Sequence, residues 1–137
     1  MENELIVLIE KDSKTNGFIR EVTSFALEHI NLIHSLYIVS NNDEYTLHMC
    51  ITTDRDVEDW EFEAIYDYYD DEALSEMVSS LEDIDEFYNP IWHISIPYID
   101  DRVDMEIILN KIIVKHFELL CNSYIEIEEN KLEYIQS

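Results

Sequence analysis

The segment Tyr45–Trp60 reads YTLHMCITTDRDVEDW, and its hydrophobic period changes half-way along. From Tyr45 to Thr52 apolar residues alternate with more polar ones, which predicts a half-buried strand. After Thr53 the apolar residues recur at steps of three and four. This spacing predicts a helix whose inward face carries Val57, Trp60, Ala64 and Tyr68. A strand that leads directly into a helix indicates mixed α and β structure.

The acids at the start of this helix predict where it begins. Asp54 or Asp56 is the expected N-cap, because a short carboxylate side chain accepts hydrogen bonds from free backbone N–H groups. Glu58 and Asp59 would then lie in the first turn, where the helix dipole favours negative charge.

Three further strands are expected on the N-terminal side. Leu5–Ile9 is a short β-branched run, which predicts a strand buried on both faces. The turn that follows ends in Asn16-Gly17, and we expect this only glycine of the chain to take a positive φ. Phe18–Leu27 then returns as the second strand of a hairpin, although its apolar residues also fit helical spacing. Leu32–Ser40 is the third strand.

On the C-terminal side, a second helix is expected from Asp71 to Ile84, before Asn89-Pro90 ends it. Ile91–Ile96 alternates and predicts a fifth strand that stops at Pro97. A long helix should follow from Asp101 or Asp104 and continue through Ile127 towards Ile135. Residues 1–137 are therefore expected to form one α+β domain. It would contain an antiparallel sheet of about five strands, four of them N-terminal, packed with two middle helices and the long C-terminal helix.

The charge of the chain limits its partners. It has 32 acids and 8 scattered bases, for a formal net charge of -24. Direct binding to nucleic acid or to an anionic membrane requires clustered Lys and Arg, so we expect neither. A partner attracted by charge should be basic, most simply a basic protein. The sequence leaves the oligomeric state open, a homodimer included.

The cysteines and the first residues predict a cytoplasmic protein. Cys50 and Cys121 have no metal-type spacing and are expected to be reduced thiols. The first residues include Glu2 and Glu4, where a secretory signal would need positive charge, and the apolar run that follows is too short for one.

Catalytic motifs of familiar kinds are missing from the sequence. With one glycine, the chain cannot build a phosphate-binding loop, a dinucleotide fingerprint or the usual nucleophile elbow. We therefore predict no cofactor, assign no catalytic residue and favour a non-enzymatic role.

The most acidic stretch is 54–86, with fifteen acids and Arg55 as its one base. Along a helix this density would place about one charge every 3.3 Å, close to the spacing of phosphates on one DNA strand. The segment predicts a surface for a basic partner, and mimicry of nucleic acid or inhibition of a toxin or nuclease is the alternative. A plainer interpretation is two amphipathic helices with solvated outer faces. The candidate partner-binding residues are Asp54, Asp56, Glu58, Asp59, Glu63, Tyr66, Asp67, Tyr69, Asp70 and Asp71, with Tyr66 and Tyr69 expected to be exposed.

A metal site is a further hypothesis, and it would fit a metal-assisted hydrolase. The acids from Asp54 onward do not form an EF-hand, because Asp59 and Ile65 occupy the positions that require glycine and glutamate. His34, His48 and Cys50 would share a face if the third and fourth strands paired with an even register. His93 and His116 are expected to be packing or rim residues.

Two motifs resemble a small family of acidic proteins from clostridia and other Firmicutes. They are Thr53–Phe62, TDRDVEDWEF, and Tyr88–Trp92, YNPIW. The resemblance covers nearly the whole chain and implies a cytoplasmic bacterial protein. The family's members have no assigned function, so it implies no active site.

Overall fold

A computed structural model describes residues 4–135 as one sheet of six strands with helices on one face. Two short 3-10 turns, Ile30–Leu32 and Lys131–Glu133, complete the elements. The strands are β1 (Glu4–Lys11), β2 (Phe18–Leu27), β3 (Ile33–Asn41), β4 (Glu44–Thr52), β5 (Ser80–Ile84) and β6 (Ile91–Pro97). The helices are α1 (Asp59–Tyr68), α2 (Asp71–Ser75) and α3 (Arg102–Glu129). The predicted α+β class with a long C-terminal helix is confirmed.

The first two strands form the expected hairpin, so Phe18–Leu27 is a strand and not a helix. Its turn is held by Asp12, whose carboxylate accepts hydrogen bonds from the backbone of Lys14 and Thr15. The prediction for Gly17 was wrong, because Asn16 takes the left-handed conformation with φ 61°. Asparagine tolerates this conformation better than most residues, so the turn does not need its glycine there.

The sheet has the order β2-β1-β3-β4-β6-β5 and is mixed, where a wholly antiparallel sheet was expected. The exception is the parallel pair β1 and β3, with Ile9 opposite Tyr37 and Lys11 opposite Val39. Its cause is geometric. β2 runs back along β1, the short turn at Ile30–Leu32 reverses the chain again, and β3 then lies on the other side of β1 in the same direction.

All three helices pack on the same face of the sheet. The hydrophobic core between the layers includes Leu8 and Phe25 from the first hairpin, Trp92 and Ile94 from β6, and Leu109 from α3. The opposite face has no covering layer among the described residues. Leu5 and Val7 point to that open face and are exposed, so the prediction that β1 is buried on both faces was wrong.

The first helix begins later than its acids predicted. Its N-cap is Glu58, not Asp54 or Asp56. The carboxylate of Glu61, three residues further on, accepts a hydrogen bond from the backbone N–H of Glu58 at 2.9 Å. Glu61 is itself buried and held by Arg55 through two hydrogen bonds, so an ion pair positions the start of the helix.

The predicted second helix is divided into two elements. Helix α2 ends at Ser75, and Ser80–Ile84 is instead the edge strand β5, paired with β6. Leu81 and Ile84 fit a helical step of three, but pairing with β6 supplies backbone hydrogen bonds that override this local pattern.

The last strand and the last helix follow the expected limits closely. Strand β6 ends at Pro97, and Asp101 caps α3 by accepting a hydrogen bond from the backbone of Asp104. Helix α3 ends at Glu129, short of Ile135. No helix among residues 4–135 is both long and apolar enough to cross a membrane.

Candidate functional site

An acidic groove lies where the end of α1 and the start of α2 pack against α3. It is an open cavity of about 530 Å³. Its lining residues are Asp67, Tyr68, Tyr69, Asp70, Leu119, Asn122 and Glu126. We call this cavity the acidic groove. Three of the seven side chains are carboxylates and none is basic.

Neighbouring groups hold two of these carboxylates in place. The Tyr134 hydroxyl donates a hydrogen bond to Asp67 Oδ2 at 2.6 Å. Asp70 is the N-cap of α2 and accepts a hydrogen bond from the backbone N–H of Ala73 at 3.1 Å. Each of these carboxylates keeps free lone pairs on an exposed side chain, because a carboxylate can accept about four hydrogen bonds.

The chemistry of the groove suits a cation. Carboxylates bind ammonium and guanidinium groups through charge-assisted hydrogen bonds, and the half-exposed ring of Tyr68 offers a face for the apolar stem of Lys or Arg. A second shallow cavity, of about 510 Å³, is lined in part by Asp71 and Glu72. A second acidic cavity is therefore present beside α2.

Three of the six other predicted partner-binding acids accept structural hydrogen bonds. Asp54 accepts one from the Tyr124 hydroxyl, and Asp56 accepts one from the Asn89 amide. Glu58 accepts one from the indole N–H of Trp60 and caps α1. Asp59, Glu63 and Asp71 are exposed. The structure thus brings Asp67, Tyr69 and Asp70 together in the acidic groove and leaves the remaining predicted acids outside its lining.

The prediction that Tyr66 and Tyr69 are exposed was wrong. Tyr69 is only 4% exposed and stacks on Trp92 in the core. Tyr66 is half-buried, and its hydroxyl bonds to the backbone of Ile84 and Ile91, linking α1 to β5 and β6. Burial raises the pKa of Tyr66 to about 12. The inward face of α1 is turned by about one residue from the expected stripe, which places these two rings inside.

The hypothetical site of His34, His48 and Cys50 does not form. Strands β3 and β4 pair with an odd register, Leu36 opposite Met49, and the ladder is irregular beside His34. The His34 ring lies against Phe87 instead. Within residues 4–135, no three His, Cys, Asp or Glu side chains converge in a metal-binding arrangement.

His48 instead meets a residue that the sequence did not connect with it. Its Nδ1 lies 2.9 Å from His93 Nε2, on the open face of the sheet. Partial burial, together with the neighbouring His93, lowers the pKa of His48. The alternation in both strands was visible in the sequence. The pairing of β4 with β6, which brings the two rings together, was not.

Residues 1–135 match DUF6762, which is described as a family of unknown function. The match covers almost the whole chain. The chain belongs to the DUF6762 family. No curated protein and no solved structure matches this DUF6762 chain.

A larger cavity than the acidic groove lies elsewhere, at the end of the sheet near Tyr45 and Tyr98. It is an open cleft of about 980 Å³ whose lining includes Arg20 and Arg102. Both arginines are already paired with glutamates, Arg20 with Glu10 at 2.7 Å and Arg102 with Glu106 at 2.9 Å. Since the cleft also contains further acids, it has mixed charge and favours no single class of ligand.

Sequence reasoning about this DUF6762 chain missed Glu126, the third carboxylate of the acidic groove. Glu126 lies in α3, more than fifty residues after Asp70, and only the packing of α1 against α3 brings them together. The acid-rich end of α3 was visible in the sequence. Its position beside α1 was not.

Proposed function

We propose that this protein is a non-enzymatic binding module that presents the acidic groove to a basic partner protein. The observation that carries the proposal is the lining of the groove, with three carboxylates and no base. A Lys or Arg side chain that enters it would be surrounded by acceptors. Asp59, Glu63 and Asp71 lie on the exposed surfaces of α1 and α2 and would add longer-range attraction.

A peptide binding assay tests this role. The probe is a fluorescein-labelled oligolysine peptide, and the variant is D67N/D70N/E126Q. Asparagine is also a good N-cap and can accept the Tyr134 hydrogen bond, so we expect the variant to fold. We expect fluorescence anisotropy at low salt to show binding at least about tenfold weaker, since three charged contacts of roughly 0.5–1 kcal/mol each are lost.

The matched control is E21Q/D85N/E128Q, which removes the same number of charges from exposed positions outside the groove. It should weaken binding much less. If the two triple variants lose the same affinity, the peptide responds only to net charge and the groove is not a binding site.

The alternative functions have less support in the geometry. Helix α1 has 10 residues and α2 has 5, so the acids of 54–86 do not follow one long helix as nucleic-acid mimicry would require. No group of three metal-ligating side chains is found within residues 4–135 to support a metal-assisted hydrolase.

A further inference from the structure

Helix α3 has a second apolar stripe on the side that faces away from the core. Its exposed members are Val103 (56% exposed), Ile107 (49%), Val114 (39%) and Ile125 (59%). Cys121, which is partly exposed, lies between the last two. We call these five residues the outer stripe. Its members differ by steps of 4, 7, 7 and 4, so they lie on one side of the helix over about 33 Å.

The spacing of the outer stripe is symmetric about Val114. Ile107 and Cys121 lie seven residues on either side of it, and Val103 and Ile125 lie eleven residues away. A second copy of the same helix, placed antiparallel across a twofold axis at Val114, would therefore match every member of the stripe with an apolar partner. Isologous contacts of this kind define twofold dimers.

The charge of α3 also differs from that of the chain as a whole. Arg102–Ile125 carries three acids and three bases, so this part has no formal net charge in a chain of -24. Two copies would repel each other less along this face than along the acidic surfaces of α1 and α2. A second copy can therefore approach this face without strong repulsion.

The flanking charges favour the antiparallel arrangement. Lys111 and Glu118 are seven residues apart and lie on the same flank of the outer stripe. In an antiparallel pair, Lys111 of each copy faces Glu118 of the other. In a parallel pair related by a twofold axis along the helices, this flank of each copy would face the opposite flank of the other, so Lys111 and Glu118 would not meet. Glu118 is exposed and has only a long intramolecular contact, 3.6 Å to Lys115, so it is accessible.

We propose that the outer stripe is the interface of an antiparallel homodimer, with Val114 on the twofold axis and Lys111 paired with Glu118 of the second copy. About 33 Å of a helix about 10 Å wide covers roughly 330 Å² of each copy, against about 800 Å² in a standard interface. The dimer should therefore be weak and depend on concentration.

Sedimentation velocity of the full chain over a wide concentration range tests the dimer. We expect the weight-average sedimentation coefficient to rise towards the dimer value as concentration increases. V114E places a carboxylate on the twofold axis, so it should remain monomeric over the whole range. Val114 is outside the core, and circular dichroism should show an unchanged fold.

A charge exchange tests the orientation. K111E and E118K should each weaken the dimer, because like charges then meet, and K111E/E118K should restore it. The matched control is K14E, which makes the same charge change as K111E in the exposed β1–β2 turn and should leave the dimer intact. A chain that stays monomeric at every concentration, or a dimer unaffected by V114E, overturns the proposal. Failure of the double variant to recover overturns the antiparallel arrangement.

Oxidation gives an independent measure of the same geometry. In I107C the new thiol should lie opposite the native Cys121 of the second copy. Treatment with diamide, a thiol oxidant, should then give a covalent dimer in which mass spectrometry finds residue 107 joined to residue 121. A dimer joined only through two copies of residue 107 would contradict the antiparallel arrangement.

Discussion

His116 is the most deeply buried ionisable residue of the helical layer, and its hydrogen bonds define its protonation. Its Nε2 donates to the backbone carbonyl of Thr52 at 2.8 Å, and its Nδ1 accepts from the Tyr69 hydroxyl at 2.7 Å. Burial lowers the pKa of His116 to about 4, although the carbonyl of Thr52 acts in the opposite direction. The residue therefore serves as a neutral packing group that joins β4, α1 and α3.

Stability should fall on acidification because of this residue. Below about pH 6.5 the unfolded chain protonates His116, whereas the folded chain does not until about pH 4. Protonation thus favours the unfolded state in this window. We expect His116 to contribute a loss of about 3 kcal/mol in the free energy of unfolding between pH 7 and pH 4, measured by urea denaturation.

The control for this effect is H116Q. Glutamine can donate to Thr52 and accept from Tyr69, but it does not titrate. The carboxylates titrate alike in both proteins, so their contribution cancels in the difference. The wild type should lose more stability on acidification than H116Q. Equal pH dependence of the two would show that His116 is not responsible.

At the level of elements, the two-residue turn between β3 and β4 carries local strain. Asn42 and Asp43 both have positive φ, at 54° and 69°. Such turns match the twist of a hairpin, but they suit glycine best at the second position. We expect D43G to raise the free energy of unfolding by about 0.5–1 kcal/mol. The measurement is the urea midpoint.

Asp43 is also a negative charge in a very acidic chain, so its removal alone could stabilise the protein. D43N removes the same charge and keeps a side chain at the strained position. The difference in the free energy of unfolding between D43G and D43N therefore measures the effect of the backbone conformation at this position. If D43N stabilises as much as D43G, strain in the turn is not the cause.

Sequence patterns predicted the correct element where the local signals agreed. They predicted the wrong element where pairing between distant segments determined the structure. The alternation in β4 was a sufficient signal for a strand, and Asp101 or Asp104 was expected at the start of α3, where the structure has Asp101 as the cap. The spacing of Leu81 and Ile84 fits either a helix or a strand. Pairing of this segment with β6, along an edge that would otherwise lack a partner, makes it a strand. For the acidic groove, Asp67 and Asp70 were predicted from charge density, but Glu126 depended on how α3 packs.

At the level of the whole molecule, charge is distributed unevenly. Exposed carboxylates are concentrated on α1, α2 and the acidic groove, whereas the outer stripe runs along a neutral part of α3. Binding of a basic partner and pairing of two copies would therefore use different sides of the helical layer. The two proposals can be tested separately, since the substitutions for one do not alter the other.

The parallel contact between β1 and β3 is the narrowest join in the sheet. Its register contains three residue pairs, whereas β5 and β6 share five and β4 and β6 share seven. Residues 4–27 are thus attached to the other strands by few backbone pairs, by side-chain packing and by two hydrogen bonds between α3 and the backbone of Ala26.

The first hairpin is therefore a candidate for local unfolding. Native proteins open locally in contiguous cooperative units, and a weakly attached hairpin can be one of them. In hydrogen exchange, the amides of β1 and β2 should become deuterated together, and before the amides that link β4 and β6. The first hairpin would then unfold as a separate cooperative unit. A single common exchange rate for all six strands would show that the molecule opens only as a whole.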